Sequence, residues 1–207
     1  MALLILALAV LLAAIFAFRH IKRKKREAAD LSMLPERFVI FDLETTGLDP
    51  LKHEIIEIGA IRVDRDADAL DTFSALTTPK GRLSAKIAAL TGITPDMLAR
   101  DGRPLGEALA QFRDFVGDSP LIAFNADFDR EFLRAACKRA KIPVFQNPFW
   151  CALKMARRAW PNRRSYKLVD LARDGGLADR QTHRALDDCQ ITMKVYVAAA
   201  QTLKTHR

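Results

Sequence analysis

The chain has 207 residues, of which 50% are hydrophobic and 28% are charged, so the composition excludes a disordered chain and supports one globular core. The formal net charge is +8, but six basic residues crowd into residues 19–26 and leave the remainder only mildly basic. Such a remainder is compatible with a phosphate-backbone ligand and also with a solvated surface that binds nothing, so charge excludes neither. The cysteines lie far apart and form no disulfide or zinc pattern, which predicts reduced, buried thiols at Cys137, Cys151 and Cys189.

The amino-terminal segment predicts a membrane anchor. Residues 1–18 contain no charged or polar side chain and would span about 27 Å as a helix, close to the roughly 30 Å of a bilayer core. No Lys or Arg precedes this run, and its Ala-x-Ala pattern at residues 7–9 lies inside it, which favours an anchor over a cleaved signal peptide. The basic residues 19–26 follow, and the positive-inside rule places them on the cytoplasmic side of a bacterial-type inner membrane. We therefore predict a single-pass transmembrane anchor at residues 1–18, a basic juxtamembrane tether at residues 19–36 and one globular domain at residues 37–207.

Three strands are predicted early in the globular domain. The apolar run at residues 38–41 is short and flanked by charge, which indicates a buried central strand that ends at Asp42. Residues 55–63 are rich in β-branched side chains with partial alternation, and residues 72–78 favour a third strand. Three consecutive strands indicate a meander.

After these strands the apolar residues change to helical spacing. A helix is predicted from Leu105 to near Gly117, followed by a short buried strand at residues 121–124 and a helix from Asn125 to about Ala140. Further helices are predicted at residues 149–159, 167–174 and 185–204. This order of elements indicates an α/β domain in which helices flank a mixed central sheet.

Two acidic residues stand at the end of the first predicted strand. Side chains two residues apart on a strand project from the same face, so Asp42 and Glu44 are expected to point together. Two adjacent carboxylates repel each other unless a cation lies between them. Such a pair alone is more often two charges on a solvated strand end, but Thr45, Thr46 and Gly47 follow it and offer hydroxyls and a flexible backbone to a ligand.

Three further residues extend this pair into a candidate site. Asp129 lies at the start of the helix that follows the second buried strand, and Asp188 lies within the final helix. His183 precedes Asp188 by five residues and falls in the loop before that helix. A lone histidine in a loop is usually incidental. Beside several carboxylates it is a candidate general base, because its ordinary pKa of about 6.5 lets it accept a proton at neutral pH.

The segments that carry these residues resemble the three motifs of the DEDDh (DnaQ-like) exonuclease superfamily, which includes the proofreading epsilon subunit of bacterial DNA polymerase III. They read Phe-Asp-Leu-Glu-Thr-Thr-Gly at residues 41–47, Phe-Asn-Ala-Asp-Phe-Asp at residues 124–129 and His-Arg-Ala-Leu-Asp-Asp at residues 183–188. Other landmarks are similar at residues 55–60, 90–94 and 165–172, so the resemblance covers about residues 37–203. Histidine rather than tyrosine at position 183 distinguishes DEDDh from its DEDDy sister group.

The resemblance implies a ribonuclease H-like fold and an active site with two divalent cations, Mg²⁺ or Mn²⁺. Such hard cations prefer oxygen ligands, and a pair of them stabilises both the attacking and the leaving oxygen at phosphorus. The implied metal ligands, of which Asp42 would bridge both cations, are Asp42, Glu44, Asp129 and Asp188. The resemblance also implies that His183 deprotonates the attacking water, and Thr45, Thr46 and Gly47 are candidates to contact the terminal nucleotide.

Two positions depart from the superfamily pattern. Phe124 stands where members often carry histidine, and Asp127 adds an acid where a small or neutral residue is common. Neither is one of the five reactive positions, so activity is expected to survive while nearby substrate contacts differ. Asp187 is also acidic, but neighbours on a helix point about 100° apart, so only one of Asp187 and Asp188 can face the cations. The spacing from His183 selects Asp188.

The leading hypothesis is a membrane-tethered 3′ to 5′ exonuclease that releases 5′-mononucleotides from the 3′ ends of single-stranded DNA. The preference for DNA rests on the resemblance alone, and an exoribonuclease or oligoribonuclease-like enzyme would share the same chemistry. A proofreading subunit would carry a polymerase-binding segment beyond the nuclease domain, and because the chain ends soon after its last predicted helix, no stable polymerase association is expected. A non-catalytic nucleic-acid-binding module is the third alternative, but degenerate copies usually lose a ligand, and all five positions are present.

Overall fold

The computed structural model describes residues 34–65 and 71–205. Within these residues the chain forms five strands: β1 Arg37–Thr45, β2 Ile55–Asp64, β3 Asp71–Leu76, β4 Leu121–Ala123 and β5 Phe149–Cys151. The same residues form seven helices: α1 Ala85–Thr91, α2 Pro95–Asp101, α3 Leu105–Val116, α4 Ala126–Ala140, α5 Ala152–Ala159, α6 Leu168–Asp174 and α7 Ala185–Thr205. No helix in this part of the chain is both long and apolar enough to span a bilayer. The predicted anchor at residues 1–18 and most of the predicted tether lie outside the described residues.

The strands form one mixed sheet in the order β3-β2-β1-β4-β5. The three consecutive strands β1, β2 and β3 pair antiparallel, as short connections allow, while β4 and β5 join β1 in parallel. The predicted meander and the predicted mixed α/β sheet are therefore confirmed. Because β1, β4 and β5 run in the same direction, their carboxyl ends meet at one edge of the sheet, and the chain leaves that edge into α4 and α5.

Alternating side chains of β1 enter two different hydrophobic layers. Val39 and Phe41 pack into the core beneath α3 and α4, where Phe112 and Phe132 are fully buried. Phe38 and Ile40 pack into the opposite layer together with Tyr196 of α7. Since side chains two apart share a face of a strand, the residues that continue the second row, at positions 42 and 44, face the α7 side of the sheet.

Two short helices were not predicted from the sequence. Ser84 caps α1 by accepting a hydrogen bond from the Ile87 N–H at 3.3 Å, and Thr94 caps α2 by accepting one from Met97 at 3.2 Å, with proline at the first helical position. These capping residues were readable in the sequence. The helices themselves have seven residues each, which is too short to establish a helical repeat of apolar positions.

The prediction of a helix at residues 149–159 was wrong about where the helix begins. Phe149–Cys151 form β5, which pairs in parallel with Leu121–Ala123 of β4, and the helix begins only at Ala152. Three residues are too few to show strand alternation, and the pairing depends on β4, which is distant in sequence. The final helix was predicted within one residue of Ala185–Thr205.

Candidate active site

The carboxyl end of β1 places two acidic side chains on the α7 face of the sheet. Asp42 is half-buried and Glu44 is buried. The pairing of β1 with β2 shifts register between Glu44 and Thr45, so regular antiparallel pairing is interrupted directly after the second acid. An interruption of this kind turns the strand end away from its neighbour and opens room beside it.

Asp129 joins this pair from the first turn of α4. Its carboxylate is 4% exposed, and the backbone N–H groups of Leu43 and of Asp129 itself favour its ionised form and so oppose the rise in its pKa. Leu43 lies between Asp42 and Glu44, so this electrostatic interaction places the Asp129 carboxylate at the end of β1. The predicted helix start after β4 therefore brings the third acid to the strand end.

The loop before α7 and the first turn of α7 complete the cluster. One ligand atom from each of Glu44, His183 and Asp188 lies within 4.8 Å of the others. Gln181 donates its side-chain amide to one carboxylate oxygen of Asp188. The other oxygen of Asp188 is buried without a hydrogen-bond partner in the structure, so it is available to a cation. Asp187 is exposed and accepts the Thr182 hydroxyl at 2.9 Å, so the two neighbouring acids point apart as predicted.

The electrostatics of the cluster favour protonated or cation-bound carboxyl groups. Burial, together with the charges of Asp129, Glu44 and Asp188, raises the pKa of Asp42 well above its ordinary value. Burial and the charge of Asp188 raise the pKa of Glu44 to about 8. Burial raises the pKa of Asp129 to about 7 and also raises the pKa of Asp188. Four ionised carboxylates would repel one another here, unless positive charge is added between them.

The donor set fits hard divalent cations. Carboxylate oxygens are the ligands that Mg²⁺ and Mn²⁺ prefer, and the orphaned buried oxygen of Asp188 supplies one of them. Glu44 and Asp188 belong, with His183, to a group of side chains that could hold a cation, and Asp42 lies close enough to Glu44, Asp129 and Asp188 for their charges to raise its pKa. The His183 imidazole lies within 4.8 Å of a carboxylate oxygen of Glu44 and of one of Asp188. The arrangement suits water activation beside a phosphate.

A cavity of about 530 Å³ opens beside the cluster, and the residues predicted to bind substrate line it. Thr45 donates its hydroxyl to the Gly47 carbonyl at 2.7 Å. Thr46 pairs its hydroxyl with the His53 ring at 3.2 Å and accepts a hydrogen bond from the Glu54 N–H at 3.0 Å. A Cβ at Gly47 would lie 2.5 Å from the His53 ring, so a side chain there would displace His53. This turn is held by its own hydrogen bonds and offers mainly backbone groups to a ligand.

The two phenylalanines near the motifs differ in their surroundings. Phe124 is partly buried and packs into the layer beneath α7, as an ordinary core aromatic does. Phe128 packs on Phe132, with ring centroids 4.8 Å apart, and also lines the cavity. Only Phe128 is therefore placed to stack on a base.

Sequence reasoning gave no role to three residues that border the cluster, Glu57, Gln181 and Arg184. Glu57 is 1% exposed near the start of β2 and accepts hydrogen bonds from the Arg184 side chain. The sequence did indicate that Glu57 has a partner, since a glutamate inside an apolar, β-branched strand requires a buried partner. The identity of that partner could not be read, because Arg184 is 127 residues away in sequence. Gln181 gave no comparable signal.

The sequence comparisons identify relatives over the same region. Residues 39–196 match the family model RNase_T, described as Exonuclease. The chain is 34% identical to the DNA polymerase III subunit epsilon of Aquifex aeolicus over 173 residues, which cover 83% of this chain and 84% of that protein. It is 36% identical to a PolC-type DNA polymerase III of Thermotoga petrophila over 84% of this chain, but spans only 13% of that polymerase.

Solved structures share the fold. A 3′-exonuclease that recognises the histone mRNA stem-loop matches with a TM-score of 0.72 at 23% identity, over 92% of this chain and 71% of that one. Exonuclease I of E. coli in complex with a dA16 oligonucleotide matches with a TM-score of 0.68 at 21% identity, over 84% and 42% of the two chains. These likenesses establish the ribonuclease H-like exonuclease fold expected from the motifs.

Proposed function

Because this chain belongs to the RNase_T exonuclease family, we propose that it is a divalent-cation-dependent enzyme that removes 5′-mononucleotides from the 3′ ends of single-stranded DNA. The observation that carries this proposal is a cluster of four carboxyl groups from β1, α4 and α7, two of which, those of Glu44 and Asp188, lie within 4.8 Å of the His183 imidazole. Three of these carboxyl groups are buried, and burial raises the pKa of all four. A protein retains such a costly cluster where a ligand supplies the missing positive charge.

Each residue has a part in the proposed reaction. Asp42, Glu44, Asp129 and Asp188 would hold the cations, whose positive charge would bind the scissile phosphate beside His183. Bound divalent cations would lower the pKa of the attacking water and neutralise charge that develops at phosphorus. His183 accepts the proton of that water as its oxygen bonds to phosphorus. The bond from phosphorus to the 3′ oxygen of the preceding nucleotide breaks, and that oxygen takes a proton from solvent.

The preference for DNA is supported by the sequence relatives. Both reported relatives are named as parts of DNA polymerase III, and the E. coli exonuclease I neighbour was solved with a dA16 oligonucleotide. RNA is the second candidate substrate, because the structural neighbour with a TM-score of 0.72 recognises an mRNA stem-loop. The two substrates require the same chemistry and differ in the contact made to the 2′-hydroxyl.

A membrane location is part of the proposal. The apolar run at residues 1–18 and the basic residues 19–26 support a single-pass anchor that leaves the nuclease on the cytoplasmic face of a bacterial-type inner membrane. Carbonate extraction of membranes that contain the full chain tests this. The chain should stay with the membrane pellet, and its release into the supernatant would contradict the anchor.

The activity is tested with the full chain and matched, 5′-labelled single-stranded DNA and RNA. We expect release of mononucleotides from the 3′ end with Mg²⁺ or Mn²⁺ and none with EDTA, with DNA degraded faster than RNA. His183→Ala should lower the rate about 10² to 10⁴-fold, the usual contribution of a general base. Activity that persists in EDTA would refute the proposed chemistry, and binding without release would favour a non-catalytic binding module.

A further inference from the structure

Glu57 of β2 is a buried carboxylate that borders the cluster but has its own partners. It is 1% exposed and pairs across the sheet with Glu44. The Arg184 guanidinium donates to it from Nη2 at 2.7 Å and from Nε at 3.2 Å, and the backbone N–H of Ala185 donates at 2.9 Å. Both carboxylate oxygens are thus engaged by protein donors, which sets Glu57 apart from the four acids assigned to cations.

These hydrogen bonds fix the start of α7. Ala185 is the first residue of that helix, and its N–H is one of the groups that a helix leaves without a partner of its own. Glu57 supplies this partner from a neighbouring strand, and its negative charge suits a helix amino terminus. Close packing supports the same contact, because a Cβ at Gly59 would lie 2.4 Å from the Leu186 backbone nitrogen.

Hydrogen bonds made by the two residues next to His183 hold its backbone in place. Its backbone has a φ of 53°, in the left-handed region that costs free energy for a residue with a side chain and persists only where neighbours enforce it. On one side, the Thr182 hydroxyl donates to Asp187 at 2.9 Å. On the other side, Arg184 is held by the guanidinium fork on Glu57. A two-point attachment of this kind restricts the backbone that presents the imidazole.

We infer that Glu57 and Arg184 form a positioning pair that acts through His183, holding the proposed general base in its productive place beside Glu44 and Asp188. The inference rests on the proposed exonuclease activity and adds two residues to its machinery. Neither residue touches the substrate or the cations in this assignment. The pair fixes the loop before α7, and that loop fixes the position of the His183 imidazole.

A double-mutant cycle with the full chain tests the inference. Glu57→Gln keeps the size of the side chain but removes the charge that holds the guanidinium. We expect kcat on single-stranded DNA to fall about 10 to 100-fold, the usual cost of removing a supporting partner, with KM unchanged. In the His183→Ala background the same substitution should change kcat by less than about twofold, because residues that act as a unit are not additive.

Two further variants keep the test decisive. Glu131→Gln is the matched control, since this partly exposed acid pairs with Arg134 at 2.6 Å on the surface of α4, and its kcat should equal that of the wild type. If Glu57→Gln does not fold, Arg184→Lys replaces the two-point fork with one ammonium group. It should lower kcat only when His183 is present.

The outcomes separate the inference from the proposed function. Equal losses in the two backgrounds, or no loss with His183 present, would overturn the positioning pair while leaving the exonuclease intact. A wild-type chain that releases no nucleotide would overturn the proposed function and the inference with it. A fall in kcat that occurs only when His183 is present supports both the positioning pair and the proposed exonuclease function.

Discussion

Two neighbouring regions bury carboxylates in opposite ways. The acidic cluster, consisting of Asp42, Glu44, Asp129 and Asp188, forms no ion pair with a Lys or Arg within the described residues, and the pKa of each member is raised. The α7–β2 junction, consisting of Glu57, Arg184 and the contact of Gly59 with α7, pairs its carboxylate with a guanidinium at 2.7 Å. That pairing raises the pKa of Arg184.

The difference indicates which region lowers the stability of the fold and which region supports it. An unpaired buried carboxylate lowers stability until a cation binds, whereas a buried and hydrogen-bonded pair is costly only when one partner is removed. Substitutions should therefore have opposite effects in the two regions. In the acidic cluster they should abolish activity without loss of stability, and in the junction they should lower stability together with activity.

The largest effect is expected for Asp42→Asn. The substitution removes the charge that Glu44, Asp129 and Asp188 oppose, so nucleotide release should fall to background while the melting temperature in EDTA rises. Gel assays and thermal melts of the purified full chain measure both. Asp114→Asn, at an exposed position on α3, is the control and should change neither. A variant with a lower melting temperature than the wild type would show that the charge of Asp42 is compensated within the protein.

Gly59→Ala should give the next largest effect, at the junction. The added Cβ would lie 2.4 Å from the Leu186 nitrogen and 2.5 Å from the Ala185 carbonyl carbon, both backbone atoms that cannot turn aside. The free energy of unfolding in urea should fall by about 1–3 kcal/mol, the usual cost of overpacking, and activity should fall with it because α7 carries Asp188. Gly81→Ala adds a Cβ with nothing within 4 Å and serves as the control. Equal stabilities of the two variants would mean that α7 is not held against β2.

A smaller effect is expected in the pH dependence of stability. The pKa values of Glu44 and Asp129 are about 8 and about 7 in the folded chain, above their ordinary values of 4.5 and 3.8. The folded state therefore binds protons more tightly than the unfolded state, so this stabilisation is complete below about pH 4 and is lost progressively as the pH rises from there to between 7 and 8.

In EDTA the melting temperature should accordingly fall as the pH rises from about 5 to about 8. Mg²⁺ should reduce this slope, because a bound cation favours the ionised carboxylates. Asp42→Asn should reduce it as well, by removing one of the repelling charges. A melting temperature in EDTA that increases over this range would contradict the raised pKa values.

The sequence predicted the acidic cluster better than the junction, for a physical reason. Asp42 and Glu44 are two residues apart on a strand, and Asp129 opens a helix directly after another strand, so local geometry and the motifs together indicate that these acids meet. Glu57 pairs with a residue 127 positions away, and no local periodicity encodes that partner. The same limit applies to β5, whose three residues are a strand only because they pair with β4.

Asp127→Ala should have the smallest effect. It tests whether the acidic cluster includes this neighbouring acid. Asp127 lies in the first turn of α4 with Asp129, but it is exposed and pairs with Lys154 at 2.8 Å, which lowers its pKa. An exposed pair of this kind contributes little to stability and is screened by salt. Activity, cation dependence and melting temperature should therefore match the wild type, and Lys154→Ala should behave in the same way. A large loss of activity in Asp127→Ala alone would show that the acid at this departure from the family pattern reaches the cations or the substrate, and would extend the acidic cluster by one residue.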